Sequence, residues 1–226
     1  PHVQSIFPSL PLRRPGVERR CAPLLEASRP EVLDCGDGVR LLSHHATQAR
    51  LGREPATRLA VLLHGWEGSA QSLYILSLGQ MLLDHGFDVV RLNLRDHGDS
   101  HDLNPEIFHS CRIAEVVGAV RRLQALNPER GINLAGFSLG GNFFLRVAAR
   151  ARDAGIELER VVAVCPVLDP AHTLVRLEGG WALYRKYFVW KWQRSLKKKQ
   201  AAWPQAYDLG PVQALDNLTD MTDHLV

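Results

Sequence analysis

The chain has little that would brace or anchor it from outside its own core. Its four cysteines, Cys21, Cys35, Cys111 and Cys165, lie far apart with no C-x-x-C pair. That spacing suggests neither a disulfide framework nor a zinc site, and a reducing, cytoplasmic setting is the simplest expectation. No apolar run approaches the roughly 20 residues that a spanning helix needs, and no signal-peptide pattern opens the sequence. A net charge of +3 over 226 residues is too small to argue for a nucleic-acid partner. What is there is ordinary for a globular protein: 46% hydrophobic and 23% charged residues, enough for one α/β domain with a proper core.

The most informative stretch is Ile132 to Asn142. A short apolar run ends at Gly136, and a helix-like segment carrying Phe143, Phe144, Leu145 and Val147 follows. Between them lies Gly136-Phe137-Ser138-Leu139-Gly140, a G-x-S-x-G pattern. A serine forced into a sharp strand-to-helix turn presents its hydroxyl at the tip, and flanking glycines let the two backbones come close enough. The helix that follows aims its first N–H groups at the same spot, which suits a developing oxyanion. The alternative is a glycine-rich turn that happens to contain a serine. The strand before and helix after favour Ser138 as a nucleophile.

The rest alternates. Pro1 to Pro30, rich in proline and arginine, reads as an extended arm lying over the domain. Glu31 to Cys35 and Val39 to His45 flank Gly36-Asp37-Gly38 and predict an antiparallel hairpin. Arg58 to Leu63 is a continuous apolar run of the parallel-sheet kind and leads into His64-Gly65-Trp66-Glu67-Gly68-Ser69. In that loop the backbone N–H of Trp66 is a candidate oxyanion donor beside that of Leu139, while His64 reads as structural. Ser72 to His85 predicts a helix stopped by Gly86, and Phe87 to Leu94 a buried strand. Arg95-Asp96-His97-Gly98-Asp99-Ser100 reads as a structural turn rather than a catalytic pair. A helix from Ile113, broken at Pro128, and a buried strand over Arg160 to Cys165 complete the series. Strands alternating with helices predict a mostly parallel sheet.

After Asp169 the character changes. Between Gly180 and Tyr207 stand seven lysines or arginines, no acid, and four of the five tryptophans. Trp181, Tyr184, Phe188 and Trp192 share one helical face; Tyr187 and Trp190 lie on another. Two readings compete for Trp181 to Lys199. One is a cap giving aromatic walls to an apolar pocket; the other is a basic aromatic helix in peripheral contact with an anionic membrane. The cap is favoured because the segment follows a core strand as an insertion.

The serine turn, the His64 to Ser69 loop and Leu94 to Ser100 together resemble the α/β-hydrolases. Pro1-His2-Val3-Gln4-Ser5-Ile6, the His-Gly-x-Glu-Gly-Ser loop and Gly136 to Asn142 resemble more narrowly the YheT-like branch, predicted esterases related to the ABHD lipases. The resemblance implies an arm over 1–30, an α/β-hydrolase core over 31–170 and a cap over 171–226. It also implies a serine hydrolase of carboxylic esters, of short or medium acyl chain or monoacylglycerol-like, working through an acyl-enzyme on Ser138 without metal or cofactor. Thioesters, amides and lactones use the same nucleophile. Asp96 stands where such folds commonly have glycine.

In this fold the acid and the histidine follow the serine in sequence. Only His172 and His224 do so here, near Asp169 and near Asp220 and Asp223, and neither comes from a recognisable core strand. With a start at Pro1 and no closing element before Val226, the expectation is a chain covering the first two-thirds of the enzyme, its triad Asp and His lying beyond Val226. The rival reading is a non-catalytic hydrolase-like scaffold that binds a lipid or a membrane.

Overall fold

The computed structural model describes residues 11–225. The Pro1 to Ile6 motif therefore lies outside the described residues. The chain from Arg14 is not an extended arm. It forms two short helices, α1 (Arg14–Arg20) and α2 (Ala22–Ala27), before strand β1 (Ser28–Asp34) begins. Pro15 and Pro23 sit in the first two positions of these helices, where a missing N–H costs nothing. Val17, Cys21, Leu24 and Ala27 recur at helical spacing and are buried. Pro15 and Pro23, which the arm reading counts as breakers, are helix starts, and Pro30 lies in β1.

β1 turns at Gly36 and Gly38, both at positive φ, into β2 (Arg40–Ala46), the expected antiparallel hairpin. Then come β3 (Arg58–Leu63), α3 (Leu73–Asp84), β4 (Asp88–Leu92), α4 (Ile113–Leu126), β5 (Gly131–Phe137), α5 (Leu139–Arg150) and β6 (Leu158–Val164). The sheet order is β1-β2-β4-β3-β5-β6, parallel from β4 to β6. Leu59, Val61 and Leu63 of β3 pack toward α4 and α5, while Leu62 packs toward α1, α2 and α3. An unbroken apolar strand is what a sheet covered on both faces requires. β6 departs from its expectation as a buried strand: Val162 is 52% exposed, so β6 is an open edge among the described residues.

Beyond β6 lie α6 (Pro170–Glu178), α7 (Ala182–Ala202), α8 (Gly210–Gln213) and α9 (Leu218–Leu225). They share a small core of Val189, Leu196, Leu209, Val212, Leu218 and Met221, against which Trp66, Ile107 and Trp192 pack. These helices are also tied to the loops of the sheet by charge. Lys199 is fully buried, its Nζ 2.8 Å from Asp96 Oδ1 and donating to the Asn104 carbonyl at 2.6 Å. The Ser195 hydroxyl donates to the Asp96 carbonyl, and Trp203 Nε1 donates to the His101 carbonyl.

A buried ion pair that loses one partner leaves an uncompensated charge. Lys199→Met is therefore expected to cost about 3 kcal/mol in urea unfolding. The double variant Asp96→Asn/Lys199→Met should recover part of that loss. Strict additivity of the two single costs would show that the pair is not coupled.

Candidate active site

Left-handed backbone at non-glycine residues collects along one edge of the sheet. Glu67 follows β3, Asp96 follows β4, Ser138 follows β5 and Cys165 follows β6, all at φ between 46° and 56°. Each such residue stores roughly 1–3 kcal/mol of strain, held only where the surroundings over-determine it. This is the edge where parallel sheets build their sites.

Ser138 has φ 52° and ψ −117°, between the end of β5 and the start of α5. Its N–H donates to the Val164 carbonyl at 2.9 Å, and its carbonyl accepts from Asn142 and Val167. A Cβ on Gly136 would run into the Gly140 carbonyl, and one on Gly140 into the carbonyls of Leu63 and His64. Gly65 faces the serine directly: a Cβ there would lie 3.2 Å from Ser138 Cβ and 3.7 Å from its Oγ. The loop after β3 and the serine turn are thus in backbone contact.

The N–H groups of Trp66 and Leu139 lie on these two touching segments, and among the described residues no turn or loop carbonyl accepts from either. The Gly65 N–H is already taken by the Tyr74 hydroxyl at 3.1 Å. The loop is gripped from above by α7. The Trp66 ring stacks on Phe188 at 5.3 Å and meets the edge of Trp192 at 5.3 Å. Lys191 Nζ donates to the Glu67 carbonyl at 2.6 Å. Tyr184 packs its edge on Phe188. Of the four aromatics expected on one face, Phe188 and Trp192 turn onto the Trp66 loop, while Trp181 and Tyr184 stay exposed.

Two histidines under the loop are structural. His64 is fully buried, its Nδ1 hydrogen-bonded to the Gly65 carbonyl at 2.7 Å and its Nε2 accepting from the Leu94 N–H. Burial lowers it to about 3, so it stays neutral and ties the ends of β3 and β4 together. His97 donates Nδ1–H to the Arg95 carbonyl, packs on Phe108 and is lowered by burial to about 4. Its Nε2 has no hydrogen-bond partner among the described residues, and the residue lines a small cavity. The Asp96-His97 segment, read as a turn, is one; its carboxylate holds Lys199 and the Phe108 N–H.

The sequence places Glu67 only within the loop, and the structure sets it on the same cavity as His97, Asp96 and Lys199. Burial, opposed by Lys191 and reinforced by Asp96, pushes it up to about 8. Lys191 and Lys199 were read only as members of a basic run. No local pattern distinguishes them from Lys197 or Lys198, because what singles them out is the distant partner each one meets.

Among the described residues, none of the triad candidates after Ser138 hydrogen-bonds it. His172 and His224 are both exposed. Asp169 caps α6 by accepting from the His172 N–H at 2.9 Å, and Asp220 bonds Asn217. Among the described residues no imidazole hydrogen-bonds Ser138 Oγ, and no cluster of His, Cys, Asp and Glu is arranged to hold a metal. No described helix is long and apolar enough to cross a membrane.

Comparison with known proteins agrees with this architecture. The chain is similar in structure to an esterase of Pyrococcus furiosus (TM-score 0.57, 21% identity, covering 78% of this chain and 64% of that one). It is also similar to Est1E from Butyrivibrio proteoclasticus (TM-score 0.52, 19% identity, covering 68% and 56%). The chain thus spans less than two-thirds of either protein, and at these identities the likeness speaks for the fold. Residues 60–200 match the family described as alpha/beta hydrolase fold. That match takes in β3 through most of α7, with both loops that meet at Ser138, and the chain accordingly belongs to the alpha/beta hydrolase fold family.

Proposed function

We propose that the protein is a serine hydrolase of carboxylic esters, of the YheT-like branch, with Ser138 as nucleophile. The observation that carries this is Ser138 at φ 52° with the Gly65 backbone packed against its side chain. Ser138 Oγ adds to the ester carbonyl carbon while its proton passes to a base. The N–H groups of Leu139 and Trp66 stabilise the resulting oxyanion, each donor contributing on the order of 3 kcal/mol. Collapse expels the alcohol, which leaves with a proton, and water then releases the acid from the acyl-enzyme. The aromatic wall of Trp66, Phe188 and Trp192 suits an apolar acyl group, such as a short or medium chain or a monoacylglycerol-like lipid.

The base is the step that the described residues do not supply. That observation favours a second reading, a hydrolase-like scaffold without catalysis. Exposing the chain to a fluorophosphonate, with mass spectrometry of the product, separates them. One adduct per chain, absent from Ser138→Ala, is expected. An adduct that survives Ser138→Ala would move the nucleophile to another residue. A folded chain that takes none, and takes none when tested with the sequence beyond Val226 included, would favour the scaffold.

The cap also holds the Trp66 donor in place. Aromatic pairs are worth about 0.5–1.5 kcal/mol beyond burial. Trp192→Ala is therefore expected to lower kcat about tenfold while KM changes by less than about threefold. An effect confined to KM would mean that Trp192 contacts substrate instead.

Glu67 sets an alkaline limb. Below about pH 8 its carboxyl is neutral; above it, a negative charge appears next to the loop that must stabilise an oxyanion. Ester hydrolysis should fall as pH rises through that value, and Glu67→Gln should flatten the fall. A limb unchanged in that variant would assign the titration to another group.

A further inference from the structure

The inward face of α7 is spent on the core, but its outward face is not. Leu183, Lys186, Tyr187, Trp190, Arg194 and Lys197 recur at intervals of three and four residues, so they share one side of the helix. All six are exposed, Leu183 at 58%, Tyr187 at 45% and Trp190 at 52%. Val189, Leu196 and Lys199 lie buried on the opposite side. The segment places three large apolar groups among three cations along about 21 Å of helix.

The charges on this face are uncommitted. Arg185 pairs with Glu178, Lys191 bonds the Glu67 carbonyl, Lys198 reaches Asp99 and Lys199 is locked to Asp96. Lys186, Arg194 and Lys197 have no carboxylate partner among the described residues, and no acid occurs between Glu178 and Asp208. Arg194 instead lies over the Trp190 ring, 5.8 Å from its centroid. The whole face is cationic and aromatic.

We infer that this outward face of α7 docks the protein on an anionic membrane surface, with the helix lying in the plane of the lipid headgroups. Tryptophan and tyrosine suit that depth because each joins an apolar body to a polar tip. Lysine and arginine stems reach along the apolar surface while their charges meet anionic headgroups. A second copy fits poorly, since face-to-face pairing would set Lys186, Arg194 and Lys197 against their own kind. A nucleic acid fits less well than a bilayer, because a phosphate backbone has no use for Leu183 between the cations. Binding of this kind is independent of chemistry at Ser138.

The test is co-sedimentation of the full chain with vesicles of phosphatidylcholine alone and of phosphatidylcholine mixed with phosphatidylglycerol. Two surface variants accompany it, Lys186→Glu/Arg194→Glu/Lys197→Glu and Leu183→Ser/Trp190→Ser, both checked for native circular dichroism. Binding to the mixed vesicles only is expected, weakened by added salt. Each neutralised cation is worth about fivefold in affinity, so the charge-reversed variant should lose binding at least about a hundredfold. The apolar variant should lose it as well. The inference is overturned if the chain ignores mixed vesicles, or if either variant binds like wild type. It is equally overturned if duplex DNA is bound as tightly as the vesicles. Sedimentation velocity showing a dimer that Trp190→Ser dissociates would assign the face to self-association.

Discussion

The turn at Ser138 can exist only because the chain has no Cβ at the places where three backbones converge. β5 ends against the first turn of α5, and both press on the end of β3, so Gly136 and Gly140 each meet a carbonyl where a methyl group would stand. That crowding explains why a non-glycine residue tolerates φ 52°: the Val164 carbonyl holds the Ser138 N–H, and Asn142 and Val167 hold its carbonyl. The strain is fixed from both sides. Everything above the sheet edge is arranged around that fixed point.

The loops after β3 and β4 have no comparable covalent reason to hold their shape. They are held by contacts from α7, more than a hundred residues away in sequence: Lys191 on the Glu67 carbonyl, Lys199 on the Asp96 carboxylate, and Phe188 and Trp192 on the Trp66 ring. Glu67 and Asp96 both sit at positive φ, so each of the two loops carries strain close to its contact with α7. A cap that only covered a pocket would not need a buried lysine. Desolvating that ammonium is costly, and the return is a fixed position of the cap relative to the serine turn.

Much of this was legible in the sequence because it is local. The apolar run of Arg58 to Leu63, the hairpin around Gly36 to Gly38, the helix stop at Gly86 and the serine turn each announce themselves within a few residues. The expected extended arm gives way to helices from Arg14 on because proline breaks a helix only in its interior, and Pro15 and Pro23 occupy the part that tolerates it. The openness of β6 is not legible because an apolar run reports what a strand is suited to, not what lies beside it; Val162 and Val164 are built for burial and are exposed among the described residues. Lys199 and Glu67 were invisible for a different reason. Their burial is conferred by elements far away in the chain, and no spacing rule encodes it.

The composition of α7 then has a physical account. A helix that served only as a cap would place aromatics inward and ordinary charged residues of both signs outward. Here the outward side carries tryptophan, tyrosine and leucine as well, and its charges are of one sign. The inward aromatics are explained by the Trp66 loop and the inward lysines by Glu67 and Asp96. Tyr187 bridges the two sides, its ring meeting Phe188 at 5.6 Å and lying under Lys191, but Leu183 and Trp190 stay more than half exposed, and leaving such groups in water carries an aggregation risk that evenly mixed charge would remove. An all-cationic rim keeps copies apart while remaining attractive to an anionic surface. The same helix thus has two apolar faces for two different reasons, one fixing the loop beside Ser138 and the other suited to a partner outside the chain.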